Sequence, residues 1–392
     1  MIFDFFIPTR IQFGAGSLNK LGTESLPGKK ALIVISAGKS MRKNGYLDRV
    51  TSLLDLQKID YVIFDKVLPN PIRAHVMEAA ELARKEKCDF IIGLGGGSSI
   101  DSAKSIAVMA KNPGDYWDYV GGGSGKGMPT TNGSLPVVAI TTTAGTGTEA
   151  DPWTVITKEE THEKIGFGND HTFPVLSIVD PELMLTVPSD LTAFQGFDAF
   201  FHSSEGYLAK VADPISDVLA LKSIELIARY LPLAVKDGSN LEARTQVALA
   251  NTLAGMVESL SSCTSEHSME HALSAFHPNI PHGAGLIMLS EAYHSFFLDK
   301  VPTRYADMAK AMGENVDGLS VRDQAAAFIT ALLKLQKACG VDGLKMSDYG
   351  VKADEVSTLA ENSWHAMGGL FDVDPHLLTM DDTIAIIKRA YK

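Results

Sequence analysis

The sequence predicts a two-domain chain: an α/β half built on a parallel sheet over residues 1–183, then an all-helical half over 184–392. Three observations carry this. Short β-branched runs alternate with helical patterns in the first half, and strand signals nearly vanish after "VDPELMLTVPSD" (179–190). The length of 392 residues also exceeds what a single compact core usually holds.

The opening "MIFDFFIPTR" has no basic segment before its apolar residues, so it reads as a first strand and not as a secretion signal. Further strands are expected at "KALIVIS" (30–36), "DYVIFD" (60–65), "DFIIGLG" (89–95) and "PVVAITTT" (136–143), with a helix over "HVMEAAELARKEK" (75–87). "WTVITK" and "LSIVD" supply two more strands, read as a side hairpin. In the second half each helix has an opening signal: Ser189, Pro214, Asn240 and Ser320 precede long apolar-periodic runs.

Composition narrows the function classes. A net charge of −12 with no basic run argues against nucleic-acid or anionic-membrane partners. No apolar stretch reaches the roughly 20 residues that span a bilayer. The three cysteines, Cys88, Cys263 and Cys339, are far apart and form no CxxC pair. Their spacing argues against a thiolate zinc site or a disulfide framework and fits a reducing, cytoplasmic setting.

Two glycine-rich segments follow predicted strands. In "GGGSSIDSAK" (95–104) bare backbone and a helix starting near Ser99 can meet phosphate oxygens, although Ser98 stands where GxGxxG requires its third glycine. "TTTAGTGTEAD" (141–151) is the second, and two such loops at strand ends are what a nucleotide crevice needs. "SAGKS" and "GSGKG" are not P-loops: Ile33 occupies the first glycine position of one, and Gly127 the hydroxyl position of the other.

Four of the eleven histidines, His267, His271, His277 and His282, crowd one segment. Upstream, Asp198 and His202 are four apart, so they leave one helix face, and His267 and His271 repeat that spacing. Asp198, His202, His267 and His282 can supply a divalent cation with three imidazoles and one carboxylate, a set suited to polarising an alcohol or carbonyl oxygen. His75, His162, His171, His294, His365 and His376 form no group and read as structural.

"GGGSSIDSAK", "TTAGTGTE", "DAFFHSSEGY" and "HSMEHALSAFHPNIPHGAGL" resemble the iron-containing (group III) alcohol dehydrogenase family, and the likeness starts at "IQFGAGSLNKLG" (11–22). The resemblance implies a Rossmann-like dinucleotide-binding domain, a helical metal-binding domain, an active site in the cleft between them, and a homodimer. It implies Asp198, His202, His267 and His282 as ligands of Fe2+, with Zn2+ or Mn2+ as alternatives. It places His271 near the nicotinamide, where it would pass the proton toward solvent. Gly96, Gly97 and Ser98 match the pyrophosphate loop, and Asn70, Thr142, Thr143, Thr146 and Lys164 match further cofactor contacts. One extra residue before "PHG" makes His277 a rival to His282.

The segment "ISAGKSMRKNG" (35–45) lacks the carboxylate that selects NAD, while Gly38 leaves room and Ser40 and its basic neighbours can meet a 2′-phosphate. That resembles the NADP-using, butanol-dehydrogenase-like aldehyde reductases, with NAD as the alternative. The expected reaction is hydride transfer between NAD(P)H and a small alcohol/aldehyde pair. The rivals are a glycerol- or 1,2-diol-dehydrogenase-type polyol enzyme, a dehydroquinate-synthase-like lyase, and a non-catalytic nucleotide-binding protein.

Overall fold

A computed structural model describes residues 2–392 and divides the chain into two compact units. One is Ile7–Thr186; the other is Val187–Lys392 together with the short segment ending at Phe6.

The first unit holds strands β1 (Arg10–Phe13), β2 (Lys30–Ser36), β3 (Asp60–Val67), β4 (Phe90–Gly95), β5 (Val137–Thr141), β6 (Thr154–Lys158), β7 (Glu163–Phe167) and β8 (Leu176–Val179). Six of them make one parallel sheet in the order β1-β8-β5-β4-β2-β3. Its helices are α1 (Ser40–Lys43), α2 (Tyr46–Leu56), α3 (Arg73–Lys85) and α4 (Gly97–Lys111). Every residue of β4 and β5 is buried, as expected where helices cover both faces of a parallel sheet. Ile33, Ile92, Ile140 and Ile178 from four adjacent strands form the centre of one core layer with Leu18 and Leu47.

Two expectations need correction. The N-terminal apolar run forms no strand: β1 begins only at Arg10, where Arg10–Phe13 finds a parallel partner in Leu176–Val179. A side hairpin exists, but β6 pairs antiparallel with β7 ("EKIGF"), while "LSIVD" joins the main sheet as β8. β7 carries two charged residues and lacks an apolar run, so its pairing with β6 defines it.

The second unit is helical: α5 (Ser189–Leu208), α6 (Pro214–Lys236), α7 (Leu241–Leu260), α8 (Ser265–Phe276), α9 (His282–Phe297), α10 (Pro302–Ala311), α11 (Val321–Ala338), α12 (Val356–Met367), α13 (Gly369–Asp372) and α14 (Met380–Ala390). Side-chain caps start several of them. Asp213 accepts from the Ile215 and Ser216 amides ahead of α6, Asn240 accepts from Ala243 ahead of α7, and Ser320 from Asp323 ahead of α11. Phe197, Phe200 and Phe201 on α5 pack with Phe328 in the core, so α5 is buried over nearly its whole length. That burial carries Asp198 and His202 into the interior.

Candidate metal centre and cofactor loops

Asp198 and His202 come from α5, His267 from α8, and His282 from the first residue of α9. Their ligand atoms lie within 4.8 Å of one another. The Nε2 atoms of His202, His267 and His282 face one oxygen, Asp198 Oδ1, at 3.7, 3.7 and 3.4 Å. The His202 and His267 rings stack with centroids 4.4 Å apart. Asp198 Oδ1 and His267 Nε2 are buried and lack a hydrogen-bond partner. Buried polar atoms rarely stay unsatisfied, and separations near 3.5 Å are the spacing that ligands take around a shared cation. The residues present fit a divalent ion.

Behind each imidazole stands a carboxylate. His267 Nδ1 is 2.5 Å from Glu205 Oε1, His202 Nδ1 is 3.6 Å from Glu258 Oε2, and His282 Nδ1 is bonded to Glu270 Oε2. The hydrogen-bonded carboxylates Glu205 and Glu270 fix the tautomers of His267 and His282, leaving Nε2 to ligate. Burial by itself would raise Asp198, but the surrounding His202, His282 and His267 outweigh it and hold the carboxyl down at about 2. Burial also opposes charge on His267, yet Cys263, Glu205 and Asp198 beside it push its ring well up.

His271 lies one turn beyond His267, its ring 5.4 Å from that of His282, and its Nδ1 is 2.9 Å from Met367 Sδ on α12. His277 is elsewhere: it follows α8 and meets Glu355 Oε2 at 3.1 Å, outside the group formed by the other four. Spacing in the sequence singled out the four converging side chains. It missed Glu205, Glu258, Glu270 and Met367, although "HSSEG" and "HSMEH" place Glu205 and Glu270 three residues beyond His202 and His267.

In the first unit Gly38 and Ser40 follow β2, Asn70 follows β3, Gly96, Gly97 and Ser98 follow β4, and Thr142, Thr143 and Thr146 follow β5, whereas Lys164 lies within the side hairpin. β2 has β3 on one side and β4 on the other, so the chain reverses direction across the sheet between β2 and β4. A crevice opens at the carboxyl ends of strands at such a switch point. Gly96 precedes α4, whose first turn has no side-chain cap, so its amide groups are available to an anion. The two small-residue loops touch. A Cβ on Gly96 would lie 2.9 Å from Thr143 Oγ1, and one on Gly97 only 2.5 Å from Thr146 Cγ2. Thr142 donates its amide to Gly95 O at 2.9 Å, and Ser98 Oγ donates to Pro69 O at 2.5 Å, beside Asn70. Gly38 and Ser40 are exposed after β2. Lys164 is buried on β7, paired with Thr157 through the backbone.

The Thr loop is pinned to α4. Fully buried Lys104 reaches Thr148 Oγ1 at 2.6 Å, the Asp151 carbonyl at 2.9 Å, Asp151 Oδ1 at 3.0 Å and the Trp153 carbonyl at 2.7 Å. Thr148 in turn donates to Asp101 Oδ1 at 2.8 Å. Burial raises Asp101 to about 6 despite the neighbouring ammonium and two hydrogen bonds.

Residues 8–181 match the family described as iron-containing alcohol dehydrogenase, and residues 192–391 match its C-terminal domain. The chain belongs to the iron-containing alcohol dehydrogenase family. It is 38% identical to 1,3-propanediol dehydrogenase of Citrobacter freundii over 363 residues, 92% of each chain. It is 35% identical to NAD-dependent methanol dehydrogenase of Bacillus methanolicus over 389 residues, 99% of each. Among solved structures, an archaeal, halo-thermophilic alcohol dehydrogenase from a Red Sea brine pool superposes with a TM-score of 0.95 at 34% identity, covering 100% of this chain and 99% of that one. As an iron-containing alcohol dehydrogenase, the chain is an NAD(P)-dependent, metal-requiring oxidoreductase acting on CH–OH groups, interconverting small alcohols and aldehydes.

Proposed function

We propose that Asp198, His202, His267 and His282 hold Fe2+ and that the chain works chiefly as an NADPH-dependent reductase of small aldehydes. The convergence of three Nε2 atoms on one orphaned carboxylate oxygen carries the metal assignment. The bound cation and nicotinamide supply polarisation of the substrate oxygen and the hydride. Asp198 keeps a negative charge at working pH, and Glu205 and Glu270 hold the His267 and His282 rings in register. Gly96, Gly97 and the first turn of α4 offer amide groups to the pyrophosphate, and Ser98, Asn70 and the Thr142–Thr146 loop flank it. His271 holds or releases the reaction's proton, its ring set by Met367.

The preference for NADPH rests on the loop after β2, where 35–45 contains no carboxylate and Lys39, Ser40 and Lys43 are exposed. Arg42 is engaged with Asp65 at 2.7 Å, which leaves Lys39 and Lys43 to meet a phosphate. A second reading, oxidation of a short diol, is favoured by the likeness to the 1,3-propanediol dehydrogenase. Chelator-stripped protein, with and without Fe2+, assayed anaerobically with NADPH or NADH against butanal and 3-hydroxypropanal, tests all of this. Iron-dependent turnover favouring NADPH and butanal is expected. Preference for NADH overturns the cofactor reading, and preference for the hydroxyaldehyde supports the diol reading.

A further inference from the structure

The His202 ring has two nitrogens and two settings. Its Nε2 faces Asp198, while its Nδ1 looks the other way, toward Glu258 Oε2 at 3.6 Å. Cys263 completes that second setting: its thiol donates to Glu258 Oε1 at 3.0 Å, and the His202, Glu258 and Cys263 ligand atoms lie within 4.8 Å of one another. Tetrahedral zinc with one sulfur, one nitrogen and one oxygen ligand separates those atoms by about 3.4–3.6 Å, from bond lengths near 2.0–2.3 Å. The His202–Glu258 edge, at 3.6 Å, has that spacing, while the thiol meets the other Glu258 oxygen at 3.0 Å, a hydrogen bond that lengthens by about half an ångström when an ion replaces the proton.

Three further features suit a cation. Glu258 lies in the last turn of α7, where the helix dipole favours positive charge. Cys263 sits in the connection 261–264 between α7 and α8 and is partly exposed, which gives ions an approach. The mixed donor set of thiol, imidazole and carboxylate suits a borderline ion better than a hard one. Cysteine spacing in the sequence counts only cysteine partners; the fold supplies the other two donors.

We propose that His202 Nδ1, Glu258 and Cys263 Sγ form a second cation subsite, joined to the candidate centre through the His202 ring, which takes a thiophilic divalent cation such as Zn2+. The subsite shares His202 with the proposed centre and rests on that reading for its bridged form. Binding displaces the thiol proton and the Nδ1 proton to solvent and forms metal–sulfur, metal–nitrogen and metal–oxygen bonds, with water in the remaining position. Because the ring then joins two cations as an imidazolate, excess Zn2+ changes the charge and the seating of a ligand of the first centre and inhibits turnover.

The test uses the full chain carrying one equivalent of Zn2+, titrated anaerobically with Cd2+ and followed by the ultraviolet thiolate-to-cadmium charge-transfer band and by metal-to-protein ratio. The wild type should take a further equivalent with the band. Cys263→Ser and Glu258→Gln should each keep the first equivalent, and Cys263→Ser should lose the band while Cys88→Ser and Cys339→Ser retain it. Inhibition by excess Zn2+ should require at least tenfold more metal in Cys263→Ser. A band that is missing from the wild type, or that survives Cys263→Ser, overturns the subsite. Asp198→Asn separates the two readings: it should lose the first equivalent and keep the band. If it keeps the first equivalent, the candidate centre is wrong, whereas loss of the band in that variant counts against the subsite.

Discussion

Glu205 and His267 meet ring to carboxylate at 2.5 Å, on neighbouring helices, with no solvent reaching Glu205. The other Glu205 oxygen accepts from the amide and hydroxyl of Thr264 at 2.7 and 2.9 Å, so the carboxylate is itself held. Removing such an outer partner typically costs about 10–100-fold in metal affinity. Glu205→Ala should weaken Fe2+ or Zn2+ binding by that amount in a competition titration with a chelating dye. An affinity equal to wild type would make Glu205 a packing residue.

His282 and His277 are five residues apart in sequence and differ in setting: one is in the converging group, the other is bound to Glu355. His282→Ala should lose its metal equivalent and turnover by about two orders of magnitude or more, because metal polarisation is worth several kcal/mol. His277→Ala should retain metal and most of its activity. The reverse pattern would move the fourth ligand to His277.

Gly97 has no room for a side chain against Thr146. Overpacking of this kind costs about 1–3 kcal/mol. Where relief of the clash shifts the loops out of the arrangement that receives the cofactor, Gly97→Ala should raise the KM for NADPH by up to roughly 100-fold, since 1.4 kcal/mol is tenfold, with a smaller change in kcat. Adding Thr146→Ser, which removes the Cγ2 in the way, should recover part of the loss. Equal KM values across the three proteins would place the cofactor away from this contact.

Burial raises Asp101 to about 6, above its ordinary 3.8. Between those values the folded state binds a proton that the unfolded chain lacks, so this group's stabilisation is full below pH 4 and lost as pH rises through about 6. Urea unfolding at intervals from pH 4 to 7 should show Asp101→Asn with a less negative dependence of stability on pH than wild type. Parallel curves would mean that Lys104 keeps Asp101 ionised throughout.

The strands most legible in the sequence were those buried on both faces, such as "FIIGLG", because an unbroken apolar run has few other uses. β7 was not legible: "EKIGF" has strand character only beside β6. The N-terminal "FDFFI" misled for the converse reason, since an apolar run needs an edge to pair with, and β8 offers one only to Arg10–Phe13. In the site, Asp198 and His202 were visible through helical spacing, whereas Glu258 lies 56 positions from the His202 it faces, and no periodicity spans that gap.

Lys104 stands seven residues after Gly97 on α4, about two helical turns along the same rod. One end of the helix presents the glycine loop, and its interior grips the threonine loop through Thr148 and Asp151. The two loops therefore behave as parts of one mould whose shape is set by the fold itself, before any ligand arrives. Fixing a backbone residue costs about 1–2 kcal/mol of entropy, and a mould set during folding spares any ligand seated on it that cost.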